Sequence, residues 1–158
     1  MNTTKQYLIR NILAVCVLLP VCISAQIKKY HFNQVDSLQK VEKRKLLVFI
    51  HTDWCRYCEG MNNITFKNKE VANIIENDFY FIELNAEEKN DIVFNGYTYV
   101  YKRTGTSTGL HQLAEQLATI DKEIAYPTLC FLNEKCEIIY QLKNFIKAKE
   151  LSFILKHL

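Results

Sequence analysis

Glycine and proline are both scarce in these 158 residues, at 4 and 2. That excludes a collagen-like, linker-like or low-complexity chain. Each one left is expected to mark a position the backbone requires. Methionine is as rare, with only Met1 and Met61. No repeat or heptad array is present. No apolar run reaches the ~20 residues that a spanning helix needs. Positive charge is modest too: 20 Lys+Arg against 17 Asp+Glu give a formal net charge of +3, far from the strongly basic face of a nucleic-acid binder. What remains is 49% hydrophobic and 23% charged, the composition of one globular domain.

Acidic residues are absent before Asp36, whereas Lys5 and Arg10 open the chain. An apolar run over residues 12–23 follows and ends in Ser24-Ala25-Gln26. A basic start, a short apolar centre and a small residue at the cut site make a secretory signal peptide over residues 1–25. An uncleaved anchor is the alternative. A lipoprotein site at Cys22 is disfavoured by the bulky Val21 before it. Cleavage leaves residues 26–158 as one domain, periplasmic or secreted, with no stable membrane insertion. It also removes two of the positive charges, Lys5 and Arg10, together with Cys16 and Cys22. Cys55, Cys58, Cys130 and Cys136 remain, in a compartment where disulfides persist.

Along that domain, residues 31–44 place Phe32, Val35, Leu38 and Val41 at spacings of three, which predicts an amphipathic helix. Residues 45–50 (KLLVFI) read as a strand buried on both faces. Helices are expected over 56–66 and 69–77, and a strand over 79–84. Between two aromatic and β-branched runs, Asn95-Gly96 predicts a hairpin over 91–102. A helix over 110–118, strands over 127–132 and 137–142, and a closing helix over 147–158 complete the order. Helices alternating with strands give an α/β domain.

Cys55-Arg56-Tyr57-Cys58 falls where the first buried strand gives way to a helix. A sulfur at a helix N-terminus faces unpaired N–H groups and the positive end of the dipole. Both favour thiolate, the attacking species. Cys58 lies one helical turn on, within reach of a disulfide. This makes Cys55 the nucleophile and Cys58 the resolving thiol, with Arg56 lowering the thiolate pKa further. Half of a zinc site and a structural disulfide are the alternatives; Cys130, Cys136 and His51 are the only recruits for a zinc site, and no second C-x-x-C exists.

The segment VFIHTDWCRYCEGMN, with Trp54 directly before Cys55, resembles the active-site segment of the thioredoxin family. Tyr126-Pro127-Thr128 resembles that family's cis-proline loop. The resemblance spans about residues 31–158 and is strongest to exported Bacteroidetes-type proteins and to periplasmic thiol-reducing domains. It implies a thioredoxin-like fold, a central mixed β-sheet flanked by helices, here with an inserted β-hairpin. It implies thiol-disulfide oxidoreductase activity on exported polypeptides, with a separate redox partner and neither cofactor nor metal; the likeness to reducing domains favours reduction, Arg56 favours a more oxidising couple, and oxidation and isomerisation stay open. It also implies Trp54, Arg56, Tyr57, Tyr126 and Pro127 as substrate-binding residues. Two departures stand out. Phe49 and about Phe81 fall where thioredoxin pairs a buried acid with a lysine, which leaves Glu83, His51 or water to take the proton of Cys58. Arg56-Tyr57 replaces Gly-Pro between the cysteines, so the redox potential does not transfer.

Two other functions fit less well: a partner-binding module without turnover, and a copper(I) carrier. Cys130, inside an apolar strand, reads as a small core residue. Cys136 reads as a second, more exposed free thiol, with a Cys130–Cys136 disulfide as the alternative. His51 and Asp53 flank the motif and either tune the thiolate or solvate the loop. His111 reads as a surface or capping residue. Phe94, Tyr97, Tyr99 and Tyr101 line the hairpin, as a partner face or as cross-strand packing.

Overall fold

The computed structural model describes residues 26–158; the expected signal peptide, with Cys16 and Cys22, lies outside them. Five apolar residues in a row, Leu46 to Ile50, can be buried only if both faces of the strand are covered. The strand β2 (Lys45–His51) is therefore central. It sends Leu47 and Phe49 into one hydrophobic layer and Leu46, Val48 and Ile50 into the other. β3 (Phe79–Asn85) runs parallel to it, pairing Phe49 with Glu83 and Leu47 with Phe81. β10 (Thr128–Leu132) lies antiparallel on its other side, and β11 (Ile138–Lys143) follows antiparallel at the edge. The two-residue β1 (Lys29–Tyr30) adds in parallel to β3. The sheet order is β1-β3-β2-β10-β11, a mixed sheet as the family resemblance implies.

Helices cover both faces. α1 (Val35–Val41) and α4 (Gln112–Ala118) pack Val35, Leu113, Ala114 and Leu117 on one layer. α2 (Arg56–Gly60), α3 (Lys69–Asp78) and α5 (Ala148–His157) pack Cys58, Val71, Ile75, Leu151 and Leu155 on the other. Two helices differ from the periodicity. α1 is preceded by a 3₁₀ turn at Phe32–Gln34 and ends at Val41. Gln39 then folds back on Arg44, its amide donating to the Arg44 carbonyl and its carbonyl accepting from the Arg44 N–H. Val41 is thereby left 87% exposed rather than buried. The expected helix over 56–66 is α only to Gly60, then widens into a π-helix at Met61–Thr65. There Phe66 N–H donates to Met61 C=O.

The insertion is two small ribbons rather than one hairpin. β4 (Ile92–Phe94) and β5 (Tyr97–Tyr99) pair across Asn95-Gly96. Both turn residues have positive φ, 51° and 77°, which is the type I′ requirement. β6 (Tyr101–Arg103) then pairs with β7 (Gly109–His111). Tyr101 therefore belongs to the second ribbon, and Leu110 is strand rather than helix. Gly109 faces the Tyr101 ring so closely that any side chain there would collide with it. A last pair, β8 (Thr119–Ile120) and β9 (Glu123–Ile124), leads into the proline loop.

Candidate active site

β2 delivers the chain to the site, and a tight turn redirects it. Cys55 N–H donates to Thr52 C=O at 3.2 Å, with Thr52 itself buried. Asn85, at the end of β3, donates from Nδ2 to Asp53 Oδ1 at 3.0 Å and so braces the turn from the neighbouring strand. Cys55 keeps an extended backbone (φ −81°, ψ 100°) and is the N-cap of α2. Its sulfur accepts from Cys58 N–H at 3.1 Å. One first-turn amide that has no partner within the helix thus points at the sulfur expected to carry negative charge.

Cys55 and Cys58 form a disulfide, with Cα atoms 5.2 Å apart. Both sit in the sheet-facing layer, at 7% and 2% exposure. Trp54 and Tyr57 on either side of Cys55 and Arg56 are open to solvent, at 68% and 70%. Arg56 is exposed and forms no ion pair among the described residues.

The second wall is the loop before β10. Tyr126-Pro127 is a cis peptide, as the resemblance implies. The Tyr126 ring meets Trp54 edge to face, with centroids 6.2 Å apart. Burial raises the Tyr126 phenol pKa, and the nearby Glu87 carboxylate adds to the rise. Pro127 C=O accepts from Asn144 N–H at 2.9 Å, which ties this loop to the segment after β11. Trp54 thus meets Tyr126 beside the turn that carries Cys55, Tyr126 packs against the layer that holds both cysteines, and Arg56 and Tyr57 lie on the first turn of α2.

Phe49 occupies the layer with Cys58 and is fully buried, so no acid occupies that place. The register makes Glu83, not Phe81, the residue level with Phe49. Glu83 is held by Lys29 Nζ at 2.8 Å. His51 stacks on Phe49 with centroids 5.4 Å apart and remains half-buried.

The other thiols are remote in chemistry. Cys130 is buried and free, its thiol pushed up to about 12 by burial. Cys136 is free and half-buried at φ 64°, raised by burial first and by Asp36 second. Neither has the lowered pKa of an attacking thiol. His111 is fully buried rather than on the surface. It caps α4: its Nδ1 accepts from Leu113 N–H at 3.2 Å. Among the described residues no group of three or more His, Cys, Asp or Glu side chains is placed to hold a metal ion, and no helix is long and apolar enough to cross a membrane.

The sequence profile of the thioredoxin-like domain matches residues 32–158. The chain belongs to the thioredoxin-like domain family. Solved structures share its fold at low identity. A thioredoxin from Thermus thermophilus aligns at TM-score 0.59 and 18% identity, over 84% of this chain and 86% of that one. A proposed disulphide-isomerase from Bacteroides thetaiotaomicron aligns at 0.56 and 24%, over 82% and 88%. The C-terminal domain of DsbD from Neisseria meningitidis, in the reduced form, aligns at 0.51 and 16%, over 79% and 90%. No curated protein sequence matches the chain significantly.

One participant of this thioredoxin-like domain was missed from the sequence, the loop from Asn144 to Ile146. Asn144 adopts φ 81°. Ile146 is buried and its C=O accepts from Thr65 Oγ1 at 2.8 Å. Between them Phe145 lies half-exposed against Gly60 of α2. The signal was present, as Phe-Ile is an apolar pair in a connection that otherwise reads as polar.

Proposed function

We propose that this thioredoxin-like protein is a thiol-disulfide oxidoreductase that reduces disulfides in exported polypeptides, in the periplasm or outside the cell. The observation that carries the reading is Cys55 as the N-cap of α2, its sulfur facing the Cys58 amide and bonded to Cys58. In the reduced protein the Cys55 thiolate attacks one sulfur of a substrate disulfide. A mixed disulfide forms, and the other substrate sulfur leaves as thiolate and takes a proton from water. The Cys58 thiol then loses its proton and attacks the Cys55 sulfur. The second substrate thiolate is released, and the Cys55–Cys58 disulfide seen here is left. An external dithiol reduces it again, so a redox partner is required.

Burial favours the resolving role of Cys58, since a thiol at 2% exposure meets only a sulfur already delivered to Cys55. Trp54, Tyr57, Arg56, Tyr126 and the cis-Pro127 loop are the polypeptide-binding residues in this reading. The direction rests on the resemblance of the sequence to periplasmic thiol-reducing domains, whereas the exposed Arg56 favours thiolate and pulls toward a more oxidising couple. Insulin reduction with dithiothreitol as donor tests the assignment. Cys55→Ser is expected to abolish it, and Cys58→Ser to trap mixed disulfides. Activity surviving in Cys55→Ser would refute the nucleophile. A Cys55–Cys58 potential in the range of strong oxidants would reverse the direction.

A further inference from the structure

We propose that the cleft between β1, the π-helix and the β3 edge binds a small aromatic carboxylate, its ring on Phe66 and Phe81 and its charge on Lys67. Neither cysteine lines this cleft, so the proposal stands apart from the thiol-exchange reading. The cleft holds about 510 Å³, within the ~300–1,000 Å³ of small-molecule sites.

The floor is apolar and fixed. Ile27, Phe66 and Phe81 are buried among their neighbours yet all border the cleft. Phe66 and Phe81 meet edge to face with centroids 5.0 Å apart, and Phe49 braces Phe66 from behind at the same distance. Two rings held in this way suit a flat aromatic body, which gains from edge-to-face and offset contact. The pairing of β1 with β3 sets Lys29 level with Phe81. Lys29 Nζ then lies 2.8 Å from each oxygen of Glu83. Glu83 is the one acid along the cleft, so its charge is already matched.

What is left over selects the head group. Lys67 is exposed and forms no ion pair among the described residues. Its hydrogen-bond partner is the neutral Asn63 Oδ1, at 3.5 Å. Two lysines against one carboxylate leave a single positive charge at the rim, which a monoanion balances and a cation does not. Asn62 and Asn63 also border the cleft, with side-chain amides that donate to a carboxylate. Both belong to the π-helix, a rare turn that recurs at functional sites. A buried apolar floor with one unmatched cation and convergent amides is the make-up of a site for an amphiphilic anion.

The test titrates cinnamate, and its uncharged counterpart cinnamide, into the oxidised protein at neutral pH and follows backbone amide chemical shifts. Saturable shifts with cinnamate are expected at residues 26–29, 62–67 and 81–83, with a dissociation constant of millimolar order or tighter. Cinnamate is expected to bind about fivefold more tightly than cinnamide, the effect of one exposed charge pair. In Lys67→Gln that preference is expected to vanish. In Lys67→Glu it is expected to reverse, so that cinnamylamine binds more tightly than cinnamate. Lys67 is exposed, so circular dichroism of both variants is expected to match the wild type. Absence of saturable shifts, shifts centred on Trp54 and Tyr126, equal affinity for acid and amide, or a preference unmoved by both substitutions each overturns the site.

Discussion

A sulfur bonded to a first-turn amide differs from a sulfur in water by the energy of that contact in the charged form. Cys55 has that amide, with the Arg56 charge next to it in the chain. Its thiol is expected to titrate below the ~8.5 of a free cysteine. The thiolate absorbance of the reduced protein, followed against pH in Cys58→Ser, checks this, and a value at or above the reference would contradict it. Cys130 gives the opposite case, buried and pushed up to about 12. In the native reduced protein, alkylation at neutral pH is expected to label Cys55 first and to leave Cys130 unlabelled until denaturant is added. Peptide mass mapping over time reads the order.

His111 is the other residue whose protonation matters. Burial lowers its pKa most, against the Asn90 carbonyl and the Glu88 and Asp91 carboxylates, which raise it. Its Nδ1 must be unprotonated to accept from Leu113 N–H. A folded pKa below the unfolded ~6.5 means that the unfolded chain binds the proton more readily, so stability is complete above that value and is lost as pH falls beneath it. Denaturant midpoints between pH 7 and 5 are expected to fall less steeply in His111→Asn, which can still cap α4.

At the scale of elements, the two ribbons divide into a buried and an open part. Phe94 is buried with its ring edge-on to Phe32 at 4.9 Å, while Tyr97 and Val93 are exposed. Phe94→Ala is expected to cost about 3–5 kcal/mol, as for other buried aromatics, read from denaturant unfolding. Val93→Ser with Tyr97→Ser is expected to leave stability within about 0.5 kcal/mol and to weaken capture of native partners by Cys58→Ser. Unchanged capture would make the ribbons purely structural.

The same elements show what a sequence displays and what it hides. KLLVFI, Asn95-Gly96 and the C-x-x-C at a strand end each carry their own signal: an unbroken apolar run, a pair tolerant of positive φ, and a sulfur at a helix start. Structure made by distant partners carried none. β1 is two residues long and exists only by pairing with β3. The early end of α1 depends on Gln39 turning back to Arg44. Leu110 has helical spacing with its successors, yet it pairs with Lys102 across the second ribbon. The candidate site divides the same way: Trp54, Cys55, Cys58 and Pro127 stand in motifs, whereas the loop 144–146 is placed only by contacts of Asn144 with Pro127, Phe145 with Gly60 and Ile146 with Thr65.

For the whole molecule, two hydrophobic layers lie on opposite faces of one sheet, and the disulfide belongs to only one of them. Its companions there include Met61, Phe66 and Leu151, all buried. The export proposed above is also testable on the whole chain. Intact mass of protein recovered from the extracytoplasmic fraction is expected to begin at Gln26, and a mass that retains residues 1–25 would instead indicate an anchor.

The π-helix at Met61–Thr65 gives the chain a vulnerability of length rather than of composition. Such a turn holds one residue more than an α-turn. Phe66 follows it, edge-on to Phe49 and Phe81 at 5.0 Å from each. The wide turn absorbs that residue without changing the faces on either side, so removing one, Asn63 for example, would let the helix wind regularly with Phe66 still aimed at the two rings. Removing a second residue would instead turn Phe66 by about 100° and open a gap in the layer that holds Cys58. Deletion of Asn62 and Asn63 together is therefore expected to melt at lower temperature than deletion of Asn63 alone.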